Sequence, residues 1–244
     1  MCIGLTARKL LLSRTSHAYR AERMSFTQTA IERILENPII FEVQQLVCNN
    51  YSAVSQEFSG LLDVTGLRIL DIGCSTGTCA GQIVDMKANS YTGVDLSAKY
   101  IAIAQRRHPD GRFIAMDARH MVFEDASFDL AMFVGVLHHM KDELAIDCLS
   151  DVRRVIKPAG HVIVAEPVFA SGKYLSTLLL SCDRGRYIRS EEGYRRLFNG
   201  FAIERQRYFN FSAHRFCSYI LTPMDATAAE RKDTAECNSQ NVAL

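Results

Sequence analysis

The stretch ILDIGCSTGTCAG, residues 69–81, decides the fold of this chain. An apolar run ends at Asp71, Gly73 and Gly77 follow among small polar residues, and a helix is predicted to begin near Thr78. Glycine lets the backbone turn sharply and approach a ligand closely, and the first N–H groups of a helix point at the same place. The pattern therefore predicts a nucleotide-binding turn between a strand and a helix.

The spacing of the small residues narrows the class of nucleotide. Gly73, Ser75 and Gly77 lie two residues apart, so the G-x-G-x-x-G fingerprint of dinucleotide-binding folds is absent. A carboxylate at the end of the strand, Asp71, would repel a pyrophosphate but can bind an ammonium group. These features, with the lack of a Tyr-x-x-x-Lys pair, disfavour a nicotinamide dehydrogenase.

Strands alternate with helices on both sides of this turn. The sequence predicts strands at 67–72, 90–96, 112–118, 128–135 and 161–168, and helices at 78–87, 97–108 and 142–156, the last ended by KPAG. Two later runs, 201–211 and 215–222, leave no room for a helix and predict an antiparallel hairpin. The fold class is therefore α/β, with a Rossmann-like, doubly wound, mostly parallel sheet.

Domain boundaries follow from changes in composition. We expect one domain over 25–222, with a core at 60–168, a helical insertion or lid at 171–199 and an edge hairpin at 200–222. Two helices before the first strand, beginning near Thr27 and Pro38, form an N-terminal helical addition. Residues 1–24 are either an organelle transit segment or the product of a start codon upstream of Met24. Residues 223–244 are predicted to be a disordered tail.

Composition excludes several classes of function. Lys and Arg number 28 against 27 Asp and Glu, so no overall positive charge favours nucleic-acid binding. No apolar run reaches the length of a membrane span. The eight cysteines show no metal-ligand or redox spacing, which predicts reduced thiols, no metal site and a cytoplasmic location.

Acidic residues end three successive predicted strands. Asp95 follows the second strand and is placed to accept hydrogen bonds from ribose hydroxyls, as acids at this position do in nucleotide-binding α/β folds. Asp117 ends the third strand and can accept from an adenine amine, while Ala118 supplies a backbone N–H. Each acid alone could equally be a helix cap. Together with Asp71 they suit a ligand with an amino-acid end, a ribose, an adenine and no phosphate.

Five motifs in this order, LDIGCSTG, GVDLS, MDA, FDLAMFVGVLHHM and IKPAGHVIVAEP, resemble those of class I S-adenosylmethionine-dependent methyltransferases, in particular the small-molecule group that includes quinone biosynthesis. The resemblance covers about residues 66–168. It implies a seven-stranded sheet with an antiparallel last strand, and S-adenosyl-L-methionine as cofactor. It also implies these cofactor-binding residues: Asp71, Gly73, Cys74, Ser75, Gly77, Asp95, Leu96, Asp117, Ala118 and Phe133. Phe133 could instead be a core residue.

Three residues are candidates for acid–base catalysis. His138 and His139 follow the fourth strand and Glu166 ends the fifth, so all three belong at the edge where such sheets bind ligands. A base is needed only when the nucleophile carries a proton at working pH, and His138 is the first choice. Each histidine could instead be structural, and Glu166 could instead be a ligand of a helix or loop.

The acceptor is predicted to be a small molecule. The chain has no NPPY-like run, no Pro-Cys nucleophile and no basic channel of the kinds found in nucleic-acid methyltransferases. Arg186, Arg189 and Arg195 are candidates for facing an acidic group of the acceptor, or are solvated. The predicted function is methyl transfer to O, N or C of this acceptor. A non-catalytic S-adenosylmethionine-binding regulatory or assembly protein is the alternative.

Overall fold

The computed structural model describes residues 51–168, 187–211 and 214–224, and places the apolar runs in one seven-stranded sheet. The strands are β1 (Arg68–Ile72), β2 (Ser90–Asp95), β3 (Arg112–Ala115), β4 (Phe128–Val134), β5 (Ile156–Pro167), β6 (Phe201–Phe211) and β7 (His214–Pro223). The helices in these ranges are α1 (Tyr51–Glu57), α2 (Ser59–Leu62), α3 (Ala80–Ile83), α4 (Ala98–Arg107), α5 (Asp142–Val155) and α6 (Glu191–Arg195), and Leu137–His139 forms one 3₁₀ turn.

The strand order is β3-β2-β1-β4-β5-β7-β6, which confirms the doubly wound sheet. β1 pairs in parallel with β2 and β4, whereas β7 is antiparallel to both β5 and β6. The chain runs outward in one direction from β1 and in the other from β4. Ligands of such sheets bind in the crevice at the carboxyl ends of the strands on either side of this reversal.

Two apolar cores cover the two faces of the sheet. Leu70 and Ile72 of β1 belong to one core and Ile69 to the other, because successive side chains of a strand point to opposite faces. The first core is completed by one face of α5: Ala145, Cys148, Leu149, Val152 and Val155. These positions recur at helical spacing, so α5 presents a continuous apolar stripe to the sheet.

Several predicted boundaries were wrong in detail. β3 ends at Ala115, so Asp117 lies two residues beyond the strand, and α3 is shorter than predicted. The KPAG segment, predicted to end the helix at 142–156, lies in β5. β4 pairs first with Ile156 and then with His161, and the register shift between these pairs accommodates residues 157–160. Sheet pairing therefore continues directly from the end of α5.

Some predictions lie outside the described residues: the extension at 1–24, the first N-terminal helix, residues 171–186 of the insertion, and the tail from 225. Within the described part, the end of the second N-terminal helix corresponds to α1 and α2, and residues 191–195 of the insertion form α6. None of the helices in the described ranges combines the length and apolar character that crossing a membrane requires.

Candidate functional site

The glycine turn joins β1 to α3 through left-handed backbone conformations. Gly73, Ser75 and Gly77 have φ angles of +70°, 50° and +75°. The N–H of Gly73 donates to the carbonyl of Val94 at the end of β2, at 2.8 Å. A Cβ on Gly73 would lie 2.9 Å from both methyl groups of Val136, so this position requires glycine for its conformation and its packing.

Asp71 is buried beneath this turn. Its carboxylate accepts a 2.6 Å hydrogen bond from the hydroxyl of Tyr91, and only 3% of the residue is exposed. Burial raises the pKa of Asp71 from 3.8 to about 7; the hydrogen bond from Tyr91 lowers it and the negative charge of Asp95 raises it further. A buried carboxyl group of this kind favours a cationic partner.

Asp95 lies at the end of β2, as predicted, and connects the glycine turn to α4. Its Oδ2 accepts from the N–H of Ser75 at 3.1 Å, and its Oδ1 accepts from the N–H of Ser97 at 2.8 Å. Burial raises the pKa of Asp95, although both backbone hydrogen bonds lower it. Each carboxylate oxygen retains capacity for a further donor such as a ribose hydroxyl.

Asp117 and Arg119 form an ion pair after β3. The guanidinium of Arg119 donates to both carboxylate oxygens of Asp117, the shortest distance being 2.5 Å between Nη2 and Oδ2. These hydrogen bonds lower the pKa of Asp117 to about 2. The carboxylate is therefore ionised, and an adenine amine would share it with Arg119.

The other predicted cofactor residues differ in exposure. Cys74 and Phe133 are buried in the two cores, and Phe133 is 0% exposed, as expected of a core residue. Leu96, next to Asp95, is 74% exposed, and Ala118 is partly buried. Burial raises the pKa of the Cys74 thiol, which makes it a packing residue rather than a nucleophile.

Glu166 organises the turn that follows β4. Its Oε1 accepts from the N–H groups of Val136 and Leu137 at 2.8 and 2.7 Å. Its Oε2 lies 3.3 Å from the N–H and 2.7 Å from the Nδ1 of His138. With four hydrogen bonds and 0% exposure, Glu166 has the geometry of a loop ligand, the alternative left open by the sequence.

The two histidines of this turn differ in access. His138 is 3% exposed and is oriented by Glu166, whereas His139 is exposed; their ring centroids are 4.0 Å apart. Because a carboxylate accepts, the Nδ1 of His138 carries the proton of this hydrogen bond. The turn therefore combines a buried histidine, His138, whose orientation is fixed by Glu166, with an exposed histidine, His139.

Comparisons with known proteins show what this chain is similar to. Residues 69–160 match a family model described as a methyltransferase domain. O-methyltransferase rstn1 of Aspergillus nomiae is 33% identical to this chain over 118 residues, which are 46% of this chain and 52% of that protein. Demethylmenaquinone methyltransferase of Beutenbergia cavernae is 34% identical over 122 residues, 47% of this chain and 50% of that protein.

A solved structure shows the same fold for the methyltransferase domain. Geranyl diphosphate C-methyltransferase from Streptomyces coelicolor A3(2), in complex with Mg²⁺, geranyl diphosphate and S-adenosyl-L-homocysteine, matches with a TM-score of 0.58. The two chains are 14% identical, and the match covers 71% of this chain and 80% of the other. The chain spans about half the length of the curated relatives described above.

Three residues that the sequence analysis did not predict support the residues predicted to bind the cofactor. Tyr91 bonds Asp71, and Arg119 bonds Asp117. Arg107, at the end of α4, donates to the carbonyl of Thr76 at 3.1 Å and to the hydroxyl of Thr78 at 2.7 Å, which fixes the glycine turn from outside. Of these three contacts, only the Asp117–Arg119 ion pair could have been predicted from the sequence, because the two residues are two positions apart.

The arginines predicted to face an acidic acceptor group have other partners. Arg189 is 9% exposed and uses its guanidinium within the domain, which contradicts that role for Arg189. Arg195 pairs with Glu191 one helical turn earlier, at 3.2 Å, and contacts Gln206. Arg186 lies outside the described residues.

Proposed function

We propose that the chain is an S-adenosyl-L-methionine-dependent methyltransferase that acts on a small-molecule acceptor. The observation that carries this proposal is the placement of the buried carboxylate of Asp71 and the partly buried carboxylate of Asp95 around the glycine turn. The Oγ of Ser75 supports it, because this buried atom has no hydrogen-bond partner among the described residues. A buried polar atom without a partner is costly and suits a ligand that supplies one.

The residues at the carboxyl ends of β1, β2 and β3 suit the three parts of the cofactor: the methionine moiety, the ribose and the adenine. Asp71 and the turn from Gly73 to Gly77 would hold the methionine moiety, where a carboxylate favours both the ammonium and the sulfonium charge. Asp95 and Leu96 would hold the ribose, and Asp117 with Ala118 the adenine. Cys74 and Phe133 would form apolar walls from the cores. The absence of a pyrophosphate in this cofactor agrees with the negative charge of the site.

The bound cofactor supplies an activated methyl group on a positively charged sulfur. The protein then needs to hold the acceptor in line with that group and to exclude water. Where the acceptor carries a proton, we assign its removal to His139, the exposed histidine, and assign positioning to His138 and Glu166. The O, N and C acceptors remain alternatives, since the relatives named above include O- and C-methyltransferases.

We extend the proposal to the acceptor and the compartment. We choose quinol-like and phenolic acceptors as the first compounds to test, because two relatives are named demethylmenaquinone methyltransferase and phthiotriol/phenolphthiotriol dimycocerosates methyltransferase. Arg195 is the candidate for an acidic acceptor group, because its side chain is 45% exposed. We place the reaction in the cytoplasm because Cys74, Cys79, Cys148 and Cys217 are free thiols.

Calorimetry with S-adenosylhomocysteine tests the cofactor site. Asp95→Ala should weaken binding by about 1–3 kcal/mol, the range for a lost hydrogen bond to a charged group. Asp110→Ala is the matched control, because Asp110 is an exposed acid in the turn between α4 and β3. Equal affinities in all three proteins would refute the ribose role of Asp95.

Transfer of label from S-adenosyl-[methyl-³H]methionine to a panel of quinols and phenols tests catalysis. We expect labelled product from the wild-type protein and slower turnover for His139→Gln, with unchanged binding of S-adenosylhomocysteine. Binding without transfer to any of the panel, to a metabolite extract or to amine acceptors would instead support the non-catalytic alternative.

A further inference from the structure

The turn between β4 and α5 is held from two sides. Glu166 accepts from the N–H groups at the beginning of the turn, Val136, Leu137 and His138, as described above. At its other end the carbonyl of Met140 needs a donor, because a short 3₁₀ turn leaves its last carbonyls without partners inside the turn. The carbonyl of Leu137 accepts from the N–H of Met140 inside the turn and takes a second donor from outside. Those donors come from Arg189, after β5.

Arg189 uses every donor of its guanidinium. Its Nη1 donates to the carbonyls of Leu137 and Tyr187 at 2.8 and 3.0 Å, and its Nη2 donates to the carbonyl of Met140 at 2.6 Å. Its Nε and Nη2 also donate to the Oδ1 of Asp142 at 2.9 and 2.7 Å. A guanidinium has five N–H groups, so these five bonds leave none for a ligand.

Backbone contacts near Arg189 also connect this segment to the turn between β4 and α5 and to the end of β5. The N–H of Tyr187 donates to the carbonyl of His138 at 2.9 Å, and Arg189 forms a parallel bridge with Val168, two residues after Glu166. The guanidinium also lies 5.7 Å from the ring of the buried Tyr194. One end of the histidine turn is therefore fixed by Glu166, within β5, and the other end by Tyr187 and Arg189, which follow β5.

Only arginine satisfies this set of acceptors. The three carbonyls and one carboxylate oxygen lie around a planar fork, and the three donors of a lysine ammonium could not reach all of them. Asp142 supplies the opposite charge that a buried cation requires. Lys141 occupies the N-cap position of α5, so the Asp142 carboxylate lies in the first turn and binds Arg189.

We propose that Arg189 is a positioning residue of the methyl-transfer site, which fixes the His138–His139 turn against Glu166 and so sets the orientation of both imidazoles. This inference rests on the proposed function, since it assigns the turn to the acceptor side. Arg189 touches neither cofactor nor acceptor. It acts through the carbonyls of Leu137 and Met140, and its removal releases one end of the turn while Glu166 still holds the other.

The variants are Arg189→Gln, Arg189→Lys and Asp142→Asn. The matched control is Arg196→Gln, which removes an exposed arginine from the same segment, one that pairs only at 3.7 Å with Glu192 among the described ion pairs. Asp142→Asn weakens the same cluster while leaving Arg189 in place. It keeps the proposal testable if Arg189→Gln does not fold.

The first readout is the nuclear magnetic resonance spectrum of ¹⁵N-histidine-labelled protein saturated with S-adenosylhomocysteine. In the wild type and Arg196→Gln, the Nδ1 resonance of His138 should have the chemical shift of a nitrogen that carries a proton, because Glu166 accepts a hydrogen bond from it. In Arg189→Gln it should shift toward the averaged position of a mobile imidazole, and Arg189→Lys should give an intermediate shift. A purely structural role would lower the melting temperature without moving this resonance.

The second readout is turnover with the acceptor found by the label-transfer screen. Arg189→Gln should lower kcat by about 10- to 100-fold, the loss expected for misplacement by about 1 Å, while the affinity for S-adenosylhomocysteine stays within twofold. Unchanged His138 resonances and unchanged kcat in folded Arg189→Gln or Asp142→Asn would overturn the inference. Failure of the wild type itself to bind S-adenosylhomocysteine would instead overturn the proposed function.

Discussion

The replacement of Asp71 by asparagine should stabilise the ligand-free protein at neutral and alkaline pH. The carboxyl group of Asp71 is buried, and its pKa is raised from 3.8 to about 7. A difference of about 3 pH units corresponds to about 4 kcal/mol at 1.36 kcal/mol per unit. Asparagine keeps an oxygen that can accept the hydroxyl of Tyr91, so the substitution removes the charge and retains the hydrogen bond.

The direction of the pH dependence follows from proton binding. Between pH 4 and 7 the unfolded chain has lost the Asp71 proton while the folded protein keeps it, so the wild type loses stability as pH rises through this range. Above pH 7 both states are ionised and the loss is complete. The stability advantage of Asp71→Asn should therefore grow by about 3 kcal/mol from pH 5 to pH 8.

Urea unfolding at a series of pH values measures this difference. Groups that do not interact with Asp71 contribute equally to the wild type and the variant, so their titration cancels in the comparison. Asp110→Asn, at an exposed site, should show no such trend. If the difference between wild type and Asp71→Asn stays constant from pH 5 to pH 8, burial does not raise the pKa of this carboxyl group.

Two further predictions concern packing and capping. Gly160→Ala should lower the free energy of unfolding by about 1–3 kcal/mol, because the new Cβ would lie 2.8 Å from the backbone carbonyl oxygen of Asp129. Gly60→Ala is the control, because no atom lies within 4 Å of its new Cβ. In thermal unfolding this control should be neutral or stabilising by up to about 1 kcal/mol. Ser97→Ala should cost about 1 kcal/mol in urea unfolding, because its Oγ accepts from the N–H of Tyr100 at the beginning of α4, and no loss would show that this cap contributes nothing.

The sheet could be predicted because its signals are local. Residues 69–72 are buried on both faces of the sheet, and all of them except Asp71 are apolar. The gap between the runs at 201–211 and 215–222 is too short for a crossover helix. Residues 201–211 form β6 with the predicted bounds. The KPAG segment misled the prediction because Pro and Gly end helices in general, whereas here their neighbours continue into pairing with β4.

The supports of the candidate site could not be predicted, because they depend on contacts between distant residues. Glu166 reaches back 30 residues to Val136, and Arg189 reaches back 52 residues to Leu137. A glutamate or arginine in a sequence has the same appearance whether it is solvated or buried against backbone groups. The topology brings the ends of β4 and β5 together, and only then does Glu166 become a ligand of the turn rather than a free carboxylate.

The two halves of the site differ in how their buried polar groups are satisfied. On the proposed acceptor side, Glu166 accepts four hydrogen bonds and Arg189 donates five, so these two buried side chains are satisfied without a ligand. On the cofactor side, burial raises the pKa of both Asp71 and Asp95, and the Oγ of Ser75 has no partner among the described residues. A ligand that brings positive charge and hydrogen-bond donors to Asp71, Asp95 and Ser75 removes part of the free-energy cost of burying these groups. Its binding should therefore stabilise the protein most at pH values at which Asp71 is ionised. The same burial that destabilises the ligand-free protein thus favours a cationic, phosphate-free ligand, whereas the acceptor side contributes rigidity.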